Sequence, residues 1–340
     1  MLTTTPYSKK LLPLLIPVAM ITACGGGSDD SSDNIDDVNT STFSLAISDA
    51  PVDDLSAVIV CFNQIQLKRN EANGGDVIFT VGGENGAIEA NDLCLDDDNN
   101  VIADTVGLNL LDYAGSDSIN LITGAVIEAG DYTKLRIAMS EGSYGIDSDT
   151  GGKIKVSVPS NELKLDGFTA AIGGVINFTL EFDLRKSMVN PVGQEGYFLK
   201  PNGIRLVDNS KIGHISGSVA ESLLTDNQVS HGCIFSPEDL STAVASVYLY
   251  AGNGLESDLT ALSDNGGNEE HQPVASTTVT FDGVQSYNFE IGFINANDYT
   301  IAVSCDVVDD PEADDDVVFI EAKNVKVEES NTPVEVTFGL

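Results

Sequence analysis

Apolar and polar positions alternate along most of this chain. In Phe43-Ser44-Leu45-Ala46-Ile47-Ser48 every second residue is large and apolar, and Val58 to Leu67 continues as a long apolar-rich run. Lys153 to Val158 and Val175 to Leu184 repeat the pattern. A period of two marks a strand with one apolar and one polar face. Gly, Asn and Asp clusters such as Asn73-Gly74-Gly75, Gly82 to Gly86 and Asp149 to Gly152 separate the runs with turn chemistry. A second series follows Asp208 to Gly213: Ile212 to Val219, Ser246 to Tyr250, Ser276 to Phe281, Tyr287 to Ile291, Tyr299 to Val303 and Val334 to Phe338. Only Asp53 to Ala57 and Ser236 to Thr242 read as short helices. The expected fold is all-β, with two β-sandwich domains at 42–210 and 211–340.

One short echo links the two series. Glu128-Ala129-Gly130-Asp131-Tyr132-Thr133 and Asn295-Ala296-Asn297-Asp298-Tyr299-Thr300 share Ala-x-Asp-Tyr-Thr ahead of a strand. A common sandwich corner, with Tyr132 and Tyr299 turned inward, accounts for it better than a ligand role.

The N-terminus follows other rules. Lys9 and Lys10 precede a ten-residue apolar run, Leu11 to Met20, and then Ile21-Thr22-Ala23-Cys24. A run this short falls well below the roughly 20 residues that span a bilayer and reads as a secretory signal. The small-residue site ending in Cys24 resembles the bacterial lipobox. That resemblance implies a signal peptide at 1–23 and a lipid on Cys24. Residues 24–41 are mostly Gly, Ser, Asp, Asn and Thr and are expected to form a flexible acidic tether. Gly25 rather than Asp after the lipid site favours the outer membrane, periplasmic or surface-exposed, in a Gram-negative envelope.

Charge narrows the partners. Sixteen Lys and Arg face 53 Asp and Glu, a formal net charge of −37. That balance excludes nucleic acid, whose phosphates need a basic footprint. The expected partners are the membrane, through the lipid anchor, and an envelope protein or a glycan.

Beyond Cys24 the chain holds Cys61, Cys94, Cys233 and Cys305. Export favours disulfides, and four cysteines allow three pairings. With two cysteines in each domain, Cys61–Cys94 and Cys233–Cys305 is the expected set. A metal site at His231, Cys233, His271 and Cys305 is the weaker alternative, because zinc spacing is not matched.

Calcium is the candidate cofactor. Dense acidic loops lie at Asp96-Asp97-Asp98-Asn99-Asn100, at Asp147-x-Asp149-x-Gly151, and at Asp309-Asp310 with Asp314-Asp315-Asp316. Hard cations want several oxygens close together, yet none of these loops matches the twelve-residue calcium loop. Solvated acidic turns are the plainer account of each. The chain has no Gly-x-Ser-x-Gly elbow and no phosphate-cradling loop, and its histidines, His214, His231 and His271, are scattered. An enzyme is not expected. Asp49 is expected to cap a turn that Pro51 stiffens, and Lys200 and Arg205 to meet carboxylates.

Several motifs together resemble one family. Phe43 to Asp53 contains Ser48-Asp49-Ala50-Pro51-Val52; later come Glu128 to Arg136, Val156 to Ser160, Phe182-Asp183-Leu184-Arg185-Lys186-Ser187, and Lys200-Pro201 with Arg205. Residues 42–208 thereby resemble the domain of unknown function 4382 of bacterial envelope lipoproteins. The resemblance implies an exported β-rich domain and assigns no catalytic residue. Residues 211–340 are similar in pattern to prealbumin-like or carboxypeptidase-regulatory-like sandwiches, through Ile215-x-Gly217-x-Val219, Val247 to Tyr250 and Asp298 to Ala302. The expected role is non-catalytic binding, display or scaffolding. A carbohydrate-associated accessory module and a hydrolase with an unrecognised site are the alternatives.

Overall fold

Strands form wherever period two is strongest, and the computed structural model describes them across residues 39–50, 55–70, 74–83, 88–191, 193, 195–267 and 271–339. Cys24, the signal segment, most of the tether and Pro51 lie outside the described residues. The first half holds β1 (Thr40–Ala50), β2 (Leu55–Arg69), β3 (Val77–Thr80), β4 (Val106–Asn109), β5 (Ile119–Glu128), β6 (Gly130–Met139) and β7 (Tyr144–Asp147). It continues with β8 (Lys153–Ser157), β9 (Glu162–Ala170), β10 (Val175–Asp183), the single-turn α1 (Leu184–Ser187), β11 (Met188–Val189), β12 (Tyr197–Leu199) and β13 (Ile204–Asp208). The second half holds β14 (Ile212–Val219), α2 (Glu221–His231), β15 (Ala243–Ala251), β16 (Ala275–Phe281), β17 (Tyr287–Asn295), β18 (Asn297–Ser304), β19 (Phe319–Val327) and β20 (Val334–Phe338). The fold is all-β and sandwich-like.

In the first half a four-stranded sheet, β13-β10-β1-β5, faces a nine-stranded sheet built around β2. Phe43, Leu45 and Ile47 of β1 and Phe178, Leu180 and Phe182 of β10 point inward. They meet Ile65, Leu67, Leu135, Ile137, Leu163 and Leu165 from the facing sheet. The second half is one seven-stranded sheet, β19-β18-β15-β16-β17-β14-β20, curled around its own core. Its two ends touch: Lys323 Nζ donates to the Thr337 carbonyl at 2.5 Å, and the Gly339 amide donates to Glu321 Oε2 at 2.8 Å.

Both halves start alike. β1 lies between antiparallel β5 and parallel β10, and β14 lies between antiparallel β17 and parallel β20. The sequence echo sits in the corners that follow. Tyr132 and Tyr299 are buried, and each hydroxyl donates to the carbonyl four residues back, Glu128 at 2.8 Å and Asn295 at 2.7 Å. The alanine of each echo donates its amide to the residue just ahead of that half's first strand, Ala129 to Asn39 and Ala296 to Lys211. These are two copies of one corner. Tyr132→Phe and Tyr299→Phe are each expected to cost about 1 kcal/mol, because a carbonyl loses its partner. The double variant should lose close to the sum in urea unfolding, since distant sites add. A loss in only one variant would show that the corners are not equivalent.

Helices fall elsewhere than expected. Leu55–Ala57 opens β2, and Asp53 lies outside the described residues. Ser236–Thr242 is a run of bends and turns, with Asp239 accepting the Ser241 amide at 2.9 Å. The longest described helix is α2, which buries only Leu224 and stops at Gly232 in the left-handed region. A helix with so little buried surface carries no apolar stripe for periodicity to find.

The cysteines pair Cys61–Cys94 and Cys233–Cys305. The first pins the 88–105 segment to the outer face of β2, and the second ties the chain after α2 to the end of β18. Neither Cys233 nor Cys305 is therefore a thiolate, which removes the alternative metal site with His231 and His271.

Candidate functional site

The most unusual chemistry lies on the outer face of the four-stranded sheet. Alternation assigns Ser44, Ala46, Ser48 and Ala50 of β1 to that face, beside Thr179, Glu181 and Asp183 of β10 and Arg205 of β13. Burial does alternate along the start of β1, but from Leu45 onward every residue is buried. β10 behaves the same way from Phe178. The second half covers this end of the sheet. Val207 packs with Ile212 and Phe293, and β17 passes so close that a Cβ on Gly292 would lie 1.8 Å from the Gly115 carbonyl.

Glu181 and Asp183 are thereby walled in, and Asp49, on the opposite side of β1, is buried as well. Asp49, Glu181 and Asp183 are each no more than 2 % exposed. Burial pushes the Glu181 carboxyl up to about 8, against the pull of Arg205, which stands opposite it with Nη2 3.9 Å from Oε1. Burial, then Glu181 and Asp183, raise Asp49 well above the usual carboxylate range. Neither Asp49 oxygen has a hydrogen-bond partner among the described residues. Its neighbour Ser48 does tie the chain down, donating to the Asp117 carbonyl at 2.7 Å. Asp183 is also raised by burial, offset by Arg205, Lys186 and Arg185.

From Asp183 a polar chain crosses into the second half. Asp183 Oδ1 caps α1 by accepting the Lys186 amide at 3.2 Å, and Oδ2 accepts the Ser276 amide at 3.3 Å. Lys186 Nζ donates to the Pro273 carbonyl at 3.0 Å. Arg185 Nη2 donates to the Tyr248 hydroxyl at 3.2 Å, and that hydroxyl donates to Asp309 Oδ2 at 2.8 Å. The Arg185 and Asp309 side chains are 2 % and 1 % exposed. Lys200 pairs with Glu312 of the second half, so both scarce cations meet carboxylates as expected. Arg185–Asp309 and Lys200–Glu312 thus both run from one half to the other.

The three acidic loops separate in character. Asp96 Oδ1 accepts the amides of Asp98 at 2.9 Å and Asn100 at 2.8 Å, which holds its carboxyl below the usual range. Asp147 accepts the Thr150 hydroxyl and amide at 2.7 Å, with the same result. Both are exposed turns. Asp309 and Asp315 instead meet Asp264, a residue that the sequence pattern gave no reason to single out. Asp264-Asn265-Gly266-Gly267 reads like every other turn in this chain.

The histidines do not assemble. His214 is buried against the edge of Phe293 and accepts the Phe293 amide on Nδ1 at 3.3 Å, and burial lowers its pKa. His231 ends α2, with Nδ1 3.0 Å from Asn227 Oδ1. His271 accepts the Ser263 amide on its own carbonyl. A cleft of about 770 Å³ opens beside the first disulfide, where Tyr144, Lys153, Lys155 and Asn161 line a wall next to the Asp96 turn.

Residues 40–201 match the family described as Domain of unknown function (DUF4382). Those residues are similar to that family. The matched segment runs from β1 to Pro201 and includes Asp49, Glu181, Asp183 and Arg185, while Arg205 on β13 and the second half lie beyond it. No curated protein matches the chain. Among solved structures, the chain is similar to a candidate adhesin from Bacteroides ovatus at 9% identity, covering 94% of each chain with a TM-score of 0.19. It is similar to a candidate cell adhesion protein from Bacteroides fragilis at 8% identity, covering 86% and 92% with a TM-score of 0.18. The major pilin subunit of Bacillus cereus follows at 9% identity, covering 88% and 69% with a TM-score of 0.17. At such scores these likenesses carry no argument.

Proposed function

We propose that this chain is a lipid-anchored cell-envelope protein of two β-sandwich domains that binds or displays without catalysis. The cysteine pairing carries this reading. Four of the five cysteines close into two disulfides, which fits an oxidising compartment and leaves Cys24 as the one thiol not so consumed. That cysteine follows the short apolar run, where a lipid-accepting nucleophile belongs. The carboxyls raised by burial support a non-catalytic role, because Asp49, Glu181 and Asp183 are all buried, out of reach of a substrate. An envelope partner or a glycan would sit in the cleft beside Tyr144.

The test is lipid labelling in cells producing the full chain or its Cys24→Ser variant. Radiolabelled fatty acid is expected on the unaltered protein, which should partition into detergent. The variant should stay unlabelled and keep its signal segment. Unaltered protein recovered unlabelled from the aqueous phase would overturn the anchor.

A further inference from the structure

Two loops of the second half bring three carboxylates together. Asp264 lies between β15 and β16, and Asp309 and Asp315 lie between β18 and β19. One oxygen from each falls within 4.8 Å of the others. A calcium ion sits about 2.3–2.6 Å from its ligands, so a single ion reaches oxygens spread this far.

The cluster is built, and its buried oxygens lack partners. Asp264 is 2 % exposed and the Asp309 side chain 1 %. Each acid spends one oxygen on holding the loops. Asp264 Oδ2 accepts the Asp315 amide, Asp315 Oδ2 accepts the Asp310 amide at 2.7 Å, and Asp309 Oδ2 accepts Tyr248 and Asn265 Nδ2, both at 2.8 Å. Asp264 Oδ1 and Asp309 Oδ1 remain buried with no hydrogen-bond partner, as does Asn265 Oδ1. Buried acceptors without donors are rare because each gives up its hydration for nothing. The backbone forces the crowding. A Cβ on Gly266 would lie 1.6 Å from the Ala313 carbonyl, and one on Gly267 would lie 2.5 Å from Asp264 Oδ1 and 3.1 Å from Asp314 Oδ1. Arg185 Nη2 lies 4.0 Å from Asp309 Oδ2, the oxygen that already accepts Tyr248.

We propose that Asp264, Asp309 and Asp315 form a binding site for one divalent cation, with calcium favoured by the all-oxygen donor set. The ion supplies the positive charge that the free oxygens face without a donor. It also stiffens the loop that carries Asp309 and, through Tyr248, bears on Arg185 in the first half. This inference is independent of the lipid anchor, and either could fail alone.

The test uses the chelator-treated full chain titrated with terbium, a luminescent stand-in for calcium. The chain has no Trp, and the Tyr248 hydroxyl stands 2.8 Å from an Asp309 oxygen, so tyrosine excitation should sensitise a bound ion. A saturable rise at one equivalent, displaced by calcium chloride, is expected. Asp264→Asn and Asp315→Asn should weaken binding by about tenfold or more, while Asp97→Asn with Asp98→Asn should leave it unchanged. Asp315 is only partly buried, so its variant decides the matter if Asp264→Asn fails to fold. Calcium at 100 times its dissociation constant should raise the folding equilibrium constant about 100-fold. Luminescence that does not saturate, that survives Asp315→Asn, or that follows the Asp97 and Asp98 substitutions would overturn the site.

Discussion

Raising the pH from about 5 to about 8 is expected to destabilise the folded chain, with Glu181 by itself contributing on the order of 3–5 kcal/mol. Its carboxyl is raised from 4.5 to about 8 in the folded state, so between those values the native protein holds a proton that the unfolded chain has released. The stabilisation is full below about 4.5 and is lost as pH climbs through about 8. Asp49 and Asp183 are raised by the same burial and act in the same direction. So does Asp264, pushed up to about 6 by burial ahead of its acidic neighbours. His214 opposes them: burial lowers its pKa, so protonating it below its ordinary range near 6.5 costs stability. Exposed turn acids such as Asp96 and Asp147 are held low and matter only at still lower pH. Urea unfolding at a series of pH values gives the curve. The Glu181→Gln variant should flatten the Glu181 share of it and be the more stable protein near pH 8, because it keeps the shape without the buried charge. A wild-type curve that rises with pH across this window would contradict the assignment.

Arg185→Ala is expected to cost about 3–5 kcal/mol, the range for removing one partner of a buried ion pair. The guanidinium is 2 % exposed, and its loss strands Asp309 at 1 % exposure. The two halves also meet through Asp183–Ser276, Lys186–Pro273, Lys200–Glu312, the Val207–Ile212–Phe293 contact and the close approach of Gly292 to Gly115. Losing Arg185 should therefore split one cooperative unfolding step into two, because each half keeps its own core. Circular dichroism and tyrosine fluorescence, followed together in urea, would separate the steps. Arg185→Met combined with Asp309→Asn should recover part of the loss, because no charge is then left buried alone. A single transition shifted by less than about 1 kcal/mol would show that Arg185 does not weld the halves.

Both expectations turn on residues whose types were visible in the chain but whose surroundings were not. Asp183-Leu184-Arg185 stands within a recognisable motif, yet nothing local distinguishes it from a solvated turn. Its partners Ser276, Tyr248 and Asp309 lie 60 or more residues downstream. Asp264 had no signal at all, being one acid among 53 Asp and Glu. The corner tyrosines were legible for the opposite reason. Each finds its acceptor four residues back, so the whole interaction fits inside one short motif.

The sequence by itself determined half of the described strands, β1, β2, β10 and β14 among them, several of the turns between them, the two tyrosine corners and the resemblance that residues 40–201 bear out. Those features depend on near neighbours, and period two reports which residues share a face of a strand. It does not report what lies over that face. Ser48, Thr179, Glu181 and Asp183 occupy the polar side of β1 and β10, the side a lone sheet would give to water. Only the tertiary structure lays the second half over it, burying those carboxyls and raising their pKa values. The same packing gathers Asp264, Asp309 and Asp315 from separate loops. Burial of a polar face is a property of two surfaces meeting, and a pattern read along one strand contains only one of them.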